Sequence, residues 1–158
     1  MKLFAIDPGN AQSAFVVVDE NYTIYYKEKN ENQAVLEWMQ GFHPDKVVIE
    51  KIASYGMAVG REVFDTCIWI GRFTQAAIVL GIPVEYIFRH EEKLAICHSP
   101  NAGDTNIRRA LIDRFAKHDL KNGKGTKKNP DFFYGFKADI WAAFAVAVTF
   151  LDKTNTER

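Results

Sequence analysis

Three carboxylates in this chain have the type and placement to do chemistry together: Asp7, Glu50 and Asp139. Asp7 ends the apolar run Leu3-Phe4-Ala5-Ile6, and Glu50 ends the run Val47-Val48-Ile49. Continuous apolar runs of this length are the pattern of strands buried on both faces, so both acids are expected at strand ends. Pro8 and Gly9 then turn the chain sharply after the first acid. Asp139 opens the last apolar helical segment, where the helix dipole alone favours an acid by about 0.3–1 kcal/mol. Each position has an ordinary structural explanation: a turn, a solvated strand end, a helix start. Brought together, however, three acids cannot all stay ionised at short range without compensation, and hard divalent cations with oxygen ligands supply it. The expected ions are Mg²⁺, with Mn²⁺ as substitute. A pair of them about 3.5–4 Å apart activates a water and stabilises the leaving oxygen of an in-line phosphodiester displacement.

The elements that must position these acids follow from the hydrophobic pattern. Lys2–Ile6, Ala14–Asp19 and Thr23–Glu28 read as strands, and their short connections make an antiparallel meander. Ala34, Val35, Trp38 and Met39 then recur at helical spacing after Asn30 and Asn32, with Gly41 as the expected stop. Lys46–Ile49 follows as a strand. A β-β-β-α-β order returns it parallel to the first by a right-handed crossover, which sets Glu50 beside Asp7. The longest helix is expected over roughly Gly60 to Leu80. Its apolar residues cover more than one face, so it is buried on two sides, by this domain or by a second copy of the chain. Val84–Phe88 gives a fifth strand, a further helix starts at Asp104 or Thr105, and the final helix runs from Phe136 or Lys137 through Leu151.

Composition bounds the rest. With 158 residues, 47% of them hydrophobic, the chain suffices for one α/β domain with a proper core. Its 20 basic and 20 acidic residues leave no net charge, so any polyanionic partner must be recognised locally. The basic residues do concentrate: Lys117, Lys121, Lys124, Lys127 and Lys128 lie among glycines and asparagines in a segment expected to be a mobile loop at about 117–130. Glycine-spaced lysines such as Lys121, Lys124, Lys127 and Lys128 suit contacts to phosphates without reading bases. Cys67 and Cys97 lack metal-type spacing and read as free thiols of a reducing compartment. No apolar run approaches a bilayer span, so a soluble cytoplasmic protein without membrane contact is expected.

The segments Ala5–Gly9 (Ala-Ile-Asp-Pro-Gly), Val47–Glu50 (Val-Val-Ile-Glu) and Lys137–Ala147 (Lys-Ala-Asp-Ile-Trp-Ala-Ala-Phe-Ala-Val-Ala) resemble, in order and spacing, the acid motifs of RuvC-type Holliday junction resolvases, in their bacteriophage-encoded branch. The resemblance implies an RNase H-like mixed sheet, three antiparallel strands followed by parallel ones, flanked by helices. It implies a homodimer that binds four-way DNA junctions by shape and nicks two strands of like polarity, in the cytoplasm of a host cell if the chain is phage-encoded. Asp7, Glu50 and Asp139 are carried over as ligands of two Mg²⁺ ions per subunit when substrate is bound. One departure stands out. The family places a second acid or a His three residues from the last, where this chain has Phe136 and Ala142. Lys137 could offset the missing group by contacting the scissile phosphate; Asp131 could substitute, although Asn129-Pro130-Asp131 is equally a turn. Tyr55, in a loop after the second acid, resembles the side chain that disturbs base stacking near the junction centre. Lys93, Arg108 and Arg109 lie where the family has phosphate contacts. Two other classes remain open: a junction-binding protein without catalysis or with little, and an actin- or sugar-kinase-like ATPase fragment, which would need a second lobe.

Overall fold

In the computed structural model, which describes residues 1–157, the chain forms a five-stranded sheet in the order β3-β2-β1-β4-β5. β1 (Leu3–Asp7), β2 (Gln12–Val18) and β3 (Ile24–Glu31) are antiparallel, while β4 (Lys46–Lys51) and β5 (Val84–Phe88) join β1 in parallel. The mixed sheet and the parallel return of β4 are as expected from the β-β-β-α-β order. Alternation along each strand divides the core into two layers. Phe4, Ile6, Phe15, Val17, Val47 and Ile49 face α1 (Asn32–Phe42) and α2 (Arg61–Val79). Leu3, Ala5, Ala14, Val16, Val48 and Ile87 face α4 (Asp104–Phe115) and α5 (Ile140–Thr156), with α3 (Arg89–Cys97) packed beside α5.

α5 is the central helix of the second layer. Ala143, Ala145 and Ala147 are fully buried, and their small side chains let the backbone approach β1 and β2 closely. Phe133, Phe136, Trp141 and Phe144 close its N-terminal end, with the Phe133 and Phe136 rings 4.6 and 5.1 Å from Trp141. Burying a side chain of this size is worth about 1.5–3 kcal/mol.

Several boundaries differ from the sequence-based expectation. Gly41 does not end α1, which continues to Phe42 and stops where His43 turns left-handed (φ 46°) and donates its N–H to the Met39 carbonyl. α5 begins at Ile140 rather than at Phe136 or Lys137, because Ala138 has a left-handed φ of 48° that breaks helical continuity just before Asp139. α3 was not anticipated. Its start is fixed by Glu91, whose carboxylate accepts the Phe88 N–H at 2.7 Å.

The basic segment, expected to be mobile, is tied down by two acids. Asp131 accepts N–H groups from Lys117, His118, Asp119 and Phe132 at 2.7–2.9 Å. Asp119 accepts those of Asn122, Lys124 and Gly125. Gly125 sits at φ 67° against the Asn129 carbonyl, where a Cβ would lie 2.4 Å from that oxygen. Asp131 is therefore a buried backbone anchor, not a substitute for the missing acid. Asp131→Ala should cost about 2–3 kcal/mol in urea unfolding, since it orphans several backbone donors of which the outer ones regain water.

Candidate active site

The sheet register sets the site. Asp7 pairs with Ala14, Ala14 with Lys29, and Glu50 with Ile87, while Ile6 pairs with Ile49. Lys29, Ala14, Asp7, Glu50 and Ile87 therefore form one row across all five strands, on the face covered by α5. Neighbouring strands are about 4.8 Å apart, so Asp7 and Glu50 stand side by side at the rim. The turn after Asp7 is fastened from below: Ser13 Oγ donates to Asn32 Oδ1 at 2.5 Å and accepts the Gly9 N–H at 3.1 Å, while Asn32 Nδ2 donates to the Gly9 carbonyl at 2.9 Å.

This environment disfavours charge on Asp7. Burial first, and then the carboxylates of Glu50 and Asp139, push its pKa up to about 8, against a weaker pull from Arg89 and Lys29. Asp139 thus lies near enough to be felt, but its own carboxylate turns outward and takes Lys29 Nζ at 2.7 Å.

A fourth acid that sequence reasoning missed lies over the row. Glu92, on the inner side of α3, is 0% exposed. Its Oε1 accepts Arg89 Nη1 at 3.1 Å, and Arg89 also pairs with Asp104. Its other oxygen, Oε2, is buried without a partner, and so is Oε2 of Glu50. The two carboxyls are within hydrogen-bonding reach, which only a protonated acid can exploit; burial and Glu50 accordingly hold the Glu92 pKa far above the usual carboxylate range. The sequence signal for Glu92 was faint: a glutamate at the fourth position of a short charged helix.

As placed, no three His, Cys, Asp or Glu side chains among the described residues are grouped to hold a metal ion. The donor chemistry nevertheless fits a hard cation, because two buried carboxylate oxygens lack any donor and all candidate ligands are oxygen.

The other predicted residues scatter around this centre. Lys137 is exposed just before Asp139. Tyr55, 69% exposed, caps a loop beyond β4 with a left-handed φ of 50°. Lys93 is half-buried on α3. Arg108 lies over the Trp141 ring, its guanidinium carbon 4.8 Å from the centroid. Arg108 and Trp141 separate two cavities. One, of about 230 Å³, reaches Arg89, Ala138 and Asp139; the other, of about 400 Å³, reaches Arg109, Lys121 and Lys124. Both border Arg108 and Trp141, so the two cavities lie side by side between Asp139 and the basic segment. Lys127 and Lys128 are exposed at the far side of that segment and line neither cavity. Arg109 is committed internally, binding Asp113 at 2.8 Å and the carbonyl oxygens of Leu120 and Lys121.

No protein-family model matches this chain, and no curated protein does. Solved structures do. "Thermus thermophilus RuvC structure" superposes with a TM-score of 0.72 at 18% identity, over 99% of this chain and 97% of that one. "T. thermophilus RuvC in complex with Holliday junction substrate" gives 0.73 at 18% identity, over 99% and 96%. The chain therefore has a RuvC-like, RNase H-like fold throughout its length. Among the described residues no helix is long and apolar enough to cross a membrane.

Proposed function

We propose that this chain is a Mg²⁺-dependent endonuclease that cleaves four-way DNA junctions, with other branched DNA as a second substrate class. The observation that carries this reading is the row position of Asp7, desolvated by burial, beside Glu50, which has one buried oxygen, at the rim of a RuvC-like sheet with Asp139 close by. That the matched fold includes a RuvC bound to a Holliday junction supports the choice of substrate.

In this reading Asp7, Glu50 and Asp139 would hold two Mg²⁺ or Mn²⁺ ions when substrate is bound. Those ions would supply a nucleophilic water and stabilise the departing oxygen. The strands fix Asp7 and Glu50 rigidly, whereas Asp139 must leave Lys29 to join them. Lys29 and exposed Lys137 would then meet the scissile phosphate. The two cavities beside Arg108, towards Lys121 and Lys124, would take the flanking backbone, with Lys127, Lys128 and Lys93 as outlying phosphate contacts. Tyr55 would stack on an unpaired base at the junction centre. Arg109 would act indirectly, by shaping the segment that carries Lys121.

A second copy completes the assembly. Phe64, Ile68, Gly71, Gln75 and Ile78 follow a 4-3-4-3 spacing along the outer side of α2, and Phe64 and Ile68 are 61% and 60% exposed. That spacing is the seam of two helices packed nearly parallel or antiparallel, and Gly71 at its middle permits close approach. Ile68→Glu should convert a dimer to a monomer in light scattering and uncouple the paired nicks.

The placement of Asp139 on Lys29 favours one other reading, a junction-binding protein with little or no catalysis. Labelled four-way, three-way and linear duplex DNA, incubated with Mg²⁺, Mn²⁺ or chelator, decides between them. Symmetric, metal-dependent nicks in the four-way substrate are expected. Tight junction binding without nicks would favour the binder, and cuts spread over every branched substrate would make it a general branch nuclease.

A further inference from the structure

We infer that Glu92 is the fourth carboxylate of the metal site, supplied by α3 in place of the acid missing from α5; this rests on the endonuclease reading above. The α5 side offers no donor. One turn before Asp139 stands Phe136, buried among Phe133, Trp141 and Phe144, and one turn after it stands Ala142.

The opposite side does offer one. β5 places Ile87 next to Glu50 in the row, and α3 starts two residues later, which carries Glu92 back over the rim. A glutamate kept only for packing or for its ion pair would have both oxygens hydrogen-bonded or in water. Glu92 is wholly buried, Arg89 satisfies one oxygen, and the other has no donor. The Glu50 oxygen is in the same condition. Two donorless carboxylate oxygens in one dry place, one from a strand and one from a helix, are resolved by a shared proton or by a cation. Arg89, held in turn by Asp104, fixes the Glu92 carboxyl from its outer side, as an orienting partner of a metal ligand does. The assignment explains why the α5 position tolerates phenylalanine: the ligand has moved across the sheet.

The test is Mn²⁺ binding by titration calorimetry on the full chain, comparing wild type with Glu92→Gln, Glu92→Asp and Glu50→Gln, each checked by thermal unfolding in chelator. Glu92→Gln should lower Mn²⁺ affinity at least about tenfold while unfolding in chelator no earlier than wild type, because its amide can donate to Glu50. Glu92→Asp should recover part of the affinity. If both Glu92 variants bind Mn²⁺ like wild type while Glu50→Gln does not, Glu92 is only a proton-sharing partner of Glu50; the inference fails and the endonuclease reading stands. Absence of Mn²⁺ binding by wild type both alone and with a four-way junction bound overturns both.

Discussion

Asp7→Asn is expected to reduce cleavage of a four-way junction by about three orders of magnitude or more, the scale seen when a group acting in the transition state is removed. Binding of the same junction should change by no more than a few fold. The asymmetry follows from the proposed division of roles: Asp7 sits at the end of a buried strand, while the phosphate and base contacts proposed above fall to other side chains, those beside Arg108 and Lys121 and the exposed Tyr55. The substitution should also stabilise the protein at pH 8. Ionised Asp7 is disfavoured by burial and by Glu50, and Asn removes the charge at nearly constant shape. Nicking assays, junction band shifts and thermal unfolding on one preparation check all three. A variant that cuts at the wild-type rate would remove Asp7 from the chemistry. Loss of cutting together with early unfolding would mean that Asp7 is structural.

The acids on strands were legible in the sequence because the physics there is local. An aliphatic run followed by Asp-Pro-Gly, or by a single Glu, specifies both the strand and the residue that ends it, and the order of elements makes the two strands parallel neighbours. Side-chain direction was less accessible. Nothing in the sequence around Asp139 shows that its carboxylate meets Lys29, because that contact depends on the Asp7–Ala14–Lys29 register, which spans three strands. Glu92 was hidden for a different reason. α3 has only nine residues, Arg89 to Cys97, too few to display a helical period against the charged stretch Arg89-His90-Glu91-Glu92-Lys93. The internal contacts of Arg109, on α4, and the number of backbone groups held by Asp131 were not legible, although a turn at Asn129-Pro130-Asp131 was. In the fold their partners are backbone carbonyls and N–H groups, which composition does not reveal.

The same buried acids predict an unusual dependence of stability on pH. The folded pKa of Asp7, about 8, lies above its ordinary 3.8, so between those values the unfolded chain has released a proton that the folded chain retains. The unfolded state then binds fewer protons, and unfolding free energy falls as pH rises. Glu92 acts in the same direction from 4.5 upward. Asp131 and Asp152 act oppositely. Four backbone N–H groups hold the first below 3.8, and Arg114, at 2.7 and 2.8 Å, holds the second there, so the stability they provide is complete above that value and lost as acid protonates them. In chelator, stability should therefore peak near pH ~4–5 and decline towards pH ~8, by up to about 5 kcal/mol from Asp7 alone. At about 2–4 °C per kcal/mol for a domain of this size, the fall in Tm should reach roughly 10–20 °C. Mg²⁺ or Mn²⁺ binding to the ionised acids of the folded chain alone would raise Tm by mass action, more at pH ~8 than at pH ~5, and flatten the decline. Thermal unfolding across this range, with and without Mn²⁺, reads out each step. A chelator profile that rises from pH ~5 to ~8 would mean that these carboxyls are solvated and ionised in the folded protein, and a row of solvated acids would have no need of a cation.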